Sequence, residues 1–409
     1  MRNMRRVLMA VVAAGCLVAS ACGSSADPGS SSTPAASTEA TSGSVAATAG
    51  AGSGSSATPA AGGTAAAAEQ VEQLRKVPEF VAPGPAIDVT SLKGKKIFVI
   101  PIAATGLDSG IHSAEEAIAR KAGVTLTYYP TQGQVAQWVQ GMQTAIAQKP
   151  DLIMLEAAPD PRQLQPQIAQ AKAAGIPVLV SHFYDTEMPN PPDCEGCAAG
   201  VTAVVKAPLT AAARAEANWI IADSGGKANV LFIGLSDVLP TPGIVKAFQD
   251  EFAKNCADCK VTVQNIPLSQ LATSLTTTVA SALTKDPSIT YVNPLGDALV
   301  AGVLPALHST GRTGVKVVSF NGSPGVLKYI AQADANVVAD VGESADWIGF
   351  ANMDQAFRVM LGRPTVDQNT PIRLWDKTNI AEQGQEPSYS KGFGDQYASG
   401  YYRLWGLGT

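Results

Sequence analysis

Three times in this chain a short apolar run ends in a polar loop, and the loop ends in a small polar residue followed by proline. The clearest copy is Val315 to Gly325, VKVVSFNGSPG. Val317, Val318 and Phe320 supply the β-branched and aromatic content of a strand covered on both faces. Ser323 suits the cap of a helix and Pro324 its first position, where a missing N–H costs nothing. The same order recurs at Leu152–Glu156 with Asp160-Pro161, and at Val230–Gly234 with Thr241-Pro242. Strands that feed helices through short loops build parallel sheets. Asn321 and Gly322 then fall at the carboxyl end of a strand, the edge where such sheets bind ligands.

The pattern extends in both directions. Strands are predicted at Lys96–Pro101, Val124–Tyr129, Asp151–Leu155 and Ile176–Ser181, with helices between them. Val135, Trp138, Met142 and Ile146 form one helical stripe, which assigns Trp138 to the core. A second run follows: strands Ala228–Gly234, Val261–Asn265, Thr290–Asn293, Val315–Phe320 and Asn336–Val341, each beside a helix, with a last helix over Ala345–Leu361. About 330 residues exceed one hydrophobic core, so two α/β lobes are expected.

The first ~80 residues belong to neither lobe. Arg2, Arg5 and Arg6 precede the apolar run Val7 to Val18, which reads as an export signal over residues 1–21. Cys22 follows small residues and opens a Ser/Gly tract, so it is expected to carry a lipid. Residues 22–80, dominated by Ser, Ala, Gly, Thr and Pro, read as a flexible tether, with a short helix over Ala65 to Arg75.

Composition excludes several classes. The net charge of −5 gives no basic field for nucleic acid, and His112, His182 and His308 are too scattered for a histidine metal centre. No P-loop or GxGxxG follows a strand, and neither a GxSxG elbow nor HExxH occurs, so no cofactor and no catalysis are expected. Two CxxC pairs, Cys194/Cys197 and Cys256/Cys259, read as local disulfides in an exported chain. Zinc binding and redox activity are the alternatives. The order of elements puts the two pairs at opposite edges of a sheet, which argues against one shared metal.

The candidate site is the set of polar and aromatic residues at strand ends: Thr105, Glu156, His182, Phe183, Tyr184, Asp237, Asp297, Asn321 and Glu343. Their amides and carboxylates can hydrogen-bond a polar solute, and the rings of Phe183 and Tyr184 offer flat apolar faces. Glu156 with His182 could also serve as an acid–base pair in a hydrolase. Trp375, Tyr389, Phe393, Tyr397, Tyr401, Tyr402 and Trp405 make an aromatic tail that is expected to wrap a lobe.

The segments KIFVIPIAAT, AKAAGIPVLV and VKVVSFNGSPG resemble bacterial type I solute-binding proteins of the ribose- and galactose-binding group. The resemblance covers about residues 95 to 365. It implies two Rossmann-like lobes joined by crossover strands: 95–205 plus 344–366, and 206–343 plus 367–409. It implies a monomer that clamps a sugar, a polyol or a small aromatic or heterocyclic solute between its lobes. An ABC permease would take the solute, and the lipid would hold the receptor at the membrane; a sensor feeding a membrane kinase is the other role the fold allows. The family's contacting Asp falls on His182 and the Arg beside it on Phe183. Its Asp in the fourth strand's motif falls on Asn321, its hinge Gln on Glu343, and its Asn-Asp pair on Gly296 and Asp297. Its helix Arg has no basic match near Asp237, so ribose itself is not implied.

Overall fold

The computed structural model describes residues 59–157, 159–332 and 336–408. The export signal and Cys22 lie outside the described residues. The two predicted α/β lobes are present, each a mainly parallel sheet with helices on both faces.

The first sheet has the order β2-β1-β3-β4-β5, from β1 (Lys96–Pro101), β2 (Thr125–Tyr128), β3 (Leu152–Glu156), β4 (Val178–Asp185) and β5 (Ala203–Ala207). Alternation along the strands feeds two cores. Ile97, Val99, Leu152 and Met154 face α2 (Gly106–Ala122) and α10 (Ala345–Met360). Phe98, Ile100, Ile153 and Leu155 face α3 (Val135–Gln148) and α4 (Gln165–Ala173). Trp138 lies in that second core, its Nε1–H donating to the Ile102 carbonyl at 3.0 Å.

The second sheet has the order β11-β10-β9-β8-β6-β7, and only its edge strand β11 (Ile372–Asp376) is antiparallel. The others are β6 (Asn229–Leu235), β7 (Lys260–Ile266), β8 (Tyr291–Pro294), β9 (Lys316–Asn321) and β10 (Val337–Glu343). One face carries α5 (Leu209–Asp223) and α6 (Thr241–Asn255). The other carries α7 (Leu271–Lys285), α8 (Val300–Ser309) and α9 (Pro324–Ile330). Of the three cap-plus-proline motifs only Asp160 makes a side-chain cap bond, and Ser323 holds the cap position of α9 without one. Asp160 accepts from the Arg162 N–H, and Pro324 opens α9 behind Ser323; Thr241 is instead the first residue of α6, behind Pro240.

Three differences from the sequence reading have physical causes. The tether is not free as far as residue 80: α1 (Pro59–Leu74) buries Ala67 and Val71 against α5 and α6. Its packing face is Gly63, Ala67, Val71 and Leu74, one helical stripe whose small residues allow close approach to α6, while Ala65, Ala66 and Ala68 are exposed. Arg75 fixes its end through the Asp376 carboxylate, Nε to Oδ2 3.2 Å. The tail does not stay with the second lobe, because after β11 the chain crosses back and α11 (Gln396–Leu404) packs on the first. There Phe350 stacks on Trp405 with centroids 5.8 Å apart, and Phe80 from the lead-in meets Tyr401 at 5.0 Å. Finally, β4 runs on to Asp185, so His182, Phe183 and Tyr184 lie within the strand.

Trp405 is fully buried and its Nε1–H donates to Asp354 at 2.8 Å. Trp405→Ala is expected to cost about 3–5 kcal/mol in urea unfolding. A loss below about 1 kcal/mol, the size of an ordinary surface change, would show that α11 is an accessory to the lobe rather than part of it.

Candidate functional site

The carboxyl ends of the two sheets face each other, and three of the predicted residues meet there. His182 sits where the pairing of β4 with β5 shifts register, with φ 57°. Asn321 ends β9 at φ 123°, and Ala157 beyond β3 has φ 49°. Positive φ is rare outside glycine and is tolerated only where surrounding structure imposes it; it clusters at functional sites. The imidazole Nε2 of His182 lies 3.3 Å from one oxygen of Glu343, and the Asn321 amide donates to the other at 3.5 Å. Glu343 is the last residue of β10, where the chain passes to the first lobe. One buried carboxylate thus receives a group from each lobe.

The loop after Asn321 is held by backbone groups. Gly322 has φ 69°, and a Cβ there would come within 2.7 Å of Gly342, so no other residue fits. Its N–H donates to Asp340 at 2.7 Å, and the Ser323 N–H donates to Asp297 at 2.7 Å. Asp297 also accepts from Ser319 at 2.6 Å. Asp297 is therefore a support for the cleft loop. Burial raises both carboxyls, and the charge of Asp297 pushes Asp340 well above the usual carboxylate range, so the pair shares a proton.

The remaining predicted residues are not brought into this constellation. Thr105 caps α2, its hydroxyl accepting from the Asp108 N–H at 3.2 Å. Tyr184 turns into the first lobe's core, where its hydroxyl accepts from the Ala198 N–H at 3.2 Å. Asp237 is exposed and accepts from the Leu268 N–H at 2.9 Å. Its carbonyl also receives Arg162 from the other lobe at 3.2 Å, a contact the sequence did not suggest. Glu156 is fully buried beside Glu115 on α2, while His182 contacts Ser181 and Glu343, so the two form no acid–base pair. Glu115 accepts from Tyr128 at 2.6 Å and from Asn352 at 2.9 Å. Asn352 in turn accepts from Ser181 at 2.6 Å, next to His182. A hydrogen-bonded chain therefore runs from the cleft to Glu115, beside which Glu156 is buried.

Between the lobes lies a cavity of ≈ 260 Å³. The first lobe contributes His182 and Phe183 to its wall, and the second contributes Phe320, Asn321, further apolar side chains and Glu216 of α5. Glu216 accepts from Asn293 at 3.0 Å, and burial holds it well above the ordinary carboxylate range. It was missed because a single Glu in an Ala-rich helix looks like a solvated residue. A roomier cavity, ≈ 430 Å³, lies at the opposite edge of the second sheet, beside α1 and the start of β9, away from this constellation. The structure joins Cys194 to Cys197 and Cys256 to Cys259, Cα–Cα 5.3 and 5.4 Å. The first of these loops touches Leu239 of the second lobe, and the second follows α6.

Burial and the neighbouring Glu115 charge raise Glu156 well above its ordinary value. A carboxyl raised on folding keeps its proton in the native state after the unfolded chain has lost it. Its contribution is thus complete below the unfolded value, about 4, and lost as pH rises toward the folded value. Glu156→Gln should therefore stabilise the protein at about pH 8 and change little at about pH 4. Urea midpoints at the two pH values check this, and an equal gain at both would contradict it.

A profile for the periplasmic binding protein domain matches residues 104–364, more than half the chain. No curated protein matches. Among solved structures, a sugar ABC transporter protein from Yersinia enterocolitica is 21% identical with TM-score 0.61, covering 80% of this chain and 98% of its own. A solute-binding protein from Mycobacterium smegmatis with bound glycerol is 20% identical with TM-score 0.60, covering 73% and 99%. One from Agrobacterium vitis bound to α-D-tagatopyranose is 18% identical with TM-score 0.61, also covering 73% and 99%. With two lobes facing across a shared carboxylate and a profile spanning both, the chain belongs to the periplasmic binding protein family.

Proposed function

We propose that this chain is an extracytoplasmic receptor that clamps a compact solute between its lobes and presents the closed form to an ABC importer. In this reading Cys22 carries a lipid, residues 23–58 tether the folded part to the outer face of the membrane, and both CxxC pairs are oxidised after export. The receptor acts as a monomer and binds without turnover. The observation that carries the reading is the meeting of His182, Glu343 and Asn321 beside a cavity lined by both lobes. A ligand that touches both lobes favours the closed arrangement by its differential affinity, and nothing else is needed to couple binding to shape. Sugars and polyols occupy several structural neighbours, which makes small uncharged solutes the starting class.

The test is a thermal-shift screen against small solutes, followed by small-angle scattering. A true ligand at a hundredfold excess over its dissociation constant adds about 2.7 kcal/mol to apparent stability. It should also shrink the radius of gyration. His182→Ala and Asn321→Ala should each weaken binding by at least about tenfold, as expected when a buried hydrogen-bond partner is lost. Binding that survives both substitutions unchanged would place the ligand elsewhere. For the anchor, Cys22→Ser should abolish labelling by fatty acid and release the protein from membranes.

A further inference from the structure

We propose that the solute held in this cleft is a neutral, ring-bearing and largely apolar molecule with a single hydrogen-bonding edge, and not a polyhydroxylated one. The proposal rests on the receptor reading above. Nearly every carbon of a sugar or polyol carries a hydroxyl, and each hydroxyl taken out of water needs a partner or costs about 1–3 kcal/mol. The cavity cannot supply that many. Of its fifteen lining residues only His182, Glu216 and Asn321 have polar side chains. The other polar groups at the strand ends are already committed: Thr105 to α2, Asp297 to Ser319 and Ser323, Asp237 to Leu268.

What the cavity does supply is apolar and flat. Phe183 enters from the first lobe and Phe320 from the second, and Leu209, Leu235, Ile244 and Leu299 complete the wall. Two rings contributed from opposite lobes suit a planar guest, since ring contacts add to ordinary burial. Among the described residues no lysine or arginine lines the cavity, so a free carboxylate on the solute would meet no counter-charge there. Arg162, whose guanidinium lies 5.7 Å from the Phe183 ring centroid, is already paired with Asp160 at 2.6 Å. Glu216, kept protonated by its burial, offers one O–H, and Asn321 offers an amide; together they read one polar edge.

The full chain is titrated by calorimetry and thermal shift with indole and benzamide, and separately with D-allose, allitol and myo-inositol. Saturable binding of a ring compound, about tenfold weaker in Asn321→Ala and absent in Ala298→Trp, is the expected result. Ala298 is exposed on the cavity wall, so the tryptophan fills the space from outside; an unliganded melting temperature equal to that of the parent shows that the fold is intact. A polyol that binds and is blocked by Ala298→Trp, with no ring compound binding, overturns the proposal and leaves the receptor reading standing. Ring binding indifferent to Ala298→Trp overturns the assignment of the cavity. No response to either group overturns the proposal and counts against the receptor reading as well.

Discussion

The cleft depends on one carboxylate. Glu343 is buried at the end of β10, one oxygen facing His182 and the other facing Asn321. A buried carboxylate without partners costs several kcal/mol, so the arrangement is stable only while the groups of both lobes reach it. This ties the lobe arrangement to the electrostatics of a single hinge residue. It also accounts for the left-handed backbone at His182 and Asn321, because the two side chains must turn out of the strand direction to reach a common point.

Around this centre much of the polar content serves the scaffold. Asp297 and Asp340 hold the loop that carries Asn321, and Glu115 with Glu156 anchors the network that ends at Ser181 beside His182. Each lobe therefore backs its contribution to the cleft with a buried acid pair under the sheet's carboxyl edge. Burial raises all four carboxyls, which makes each pair a proton-sharing unit and not a pair of free charges. The cavity wall is mostly apolar, with His182, Glu216 and Asn321 as its polar side chains.

The alternation of strand and helix was legible because both sheets are buried on two faces, and buried strands announce themselves as continuous apolar runs. Two strands escaped that signal. β5 is five residues after a long cysteine-bearing loop, and β11 is an antiparallel edge with arginine and aspartate in it. His182, Asn321 and Glu343 could be placed at strand ends from sequence order, but their convergence needed the backbone bends that no propensity encodes. Thr105, Asp237 and Asp297 were rightly placed near strand ends, yet whether such a residue faces a ligand or caps its own loop is a matter of a few tens of degrees in one torsion. Glu156 ends β3 but, following Leu152 and Met154 in the strand's alternation, is buried beside Glu115 of α2.

The lead-in and tail bear on how the lobes can move. The chain passes between them at 75–86, 207–209, 343–345, 361–371 and 377–395. Three of these passages touch directly, Gly84 lying against Val366 and Gly394 against Val77, and just beyond the passage at 343–345 the Asp346 N–H donates to Ser390 at 3.0 Å. Two plates joined by several strips in mutual contact bend along the line of the strips but resist shear and torsion about it. The added passages therefore act as a mechanical guide. In the clamping receptor we propose, they narrow the motion of the lobes toward a single swing, so that each closure brings the same two faces back into the same alignment.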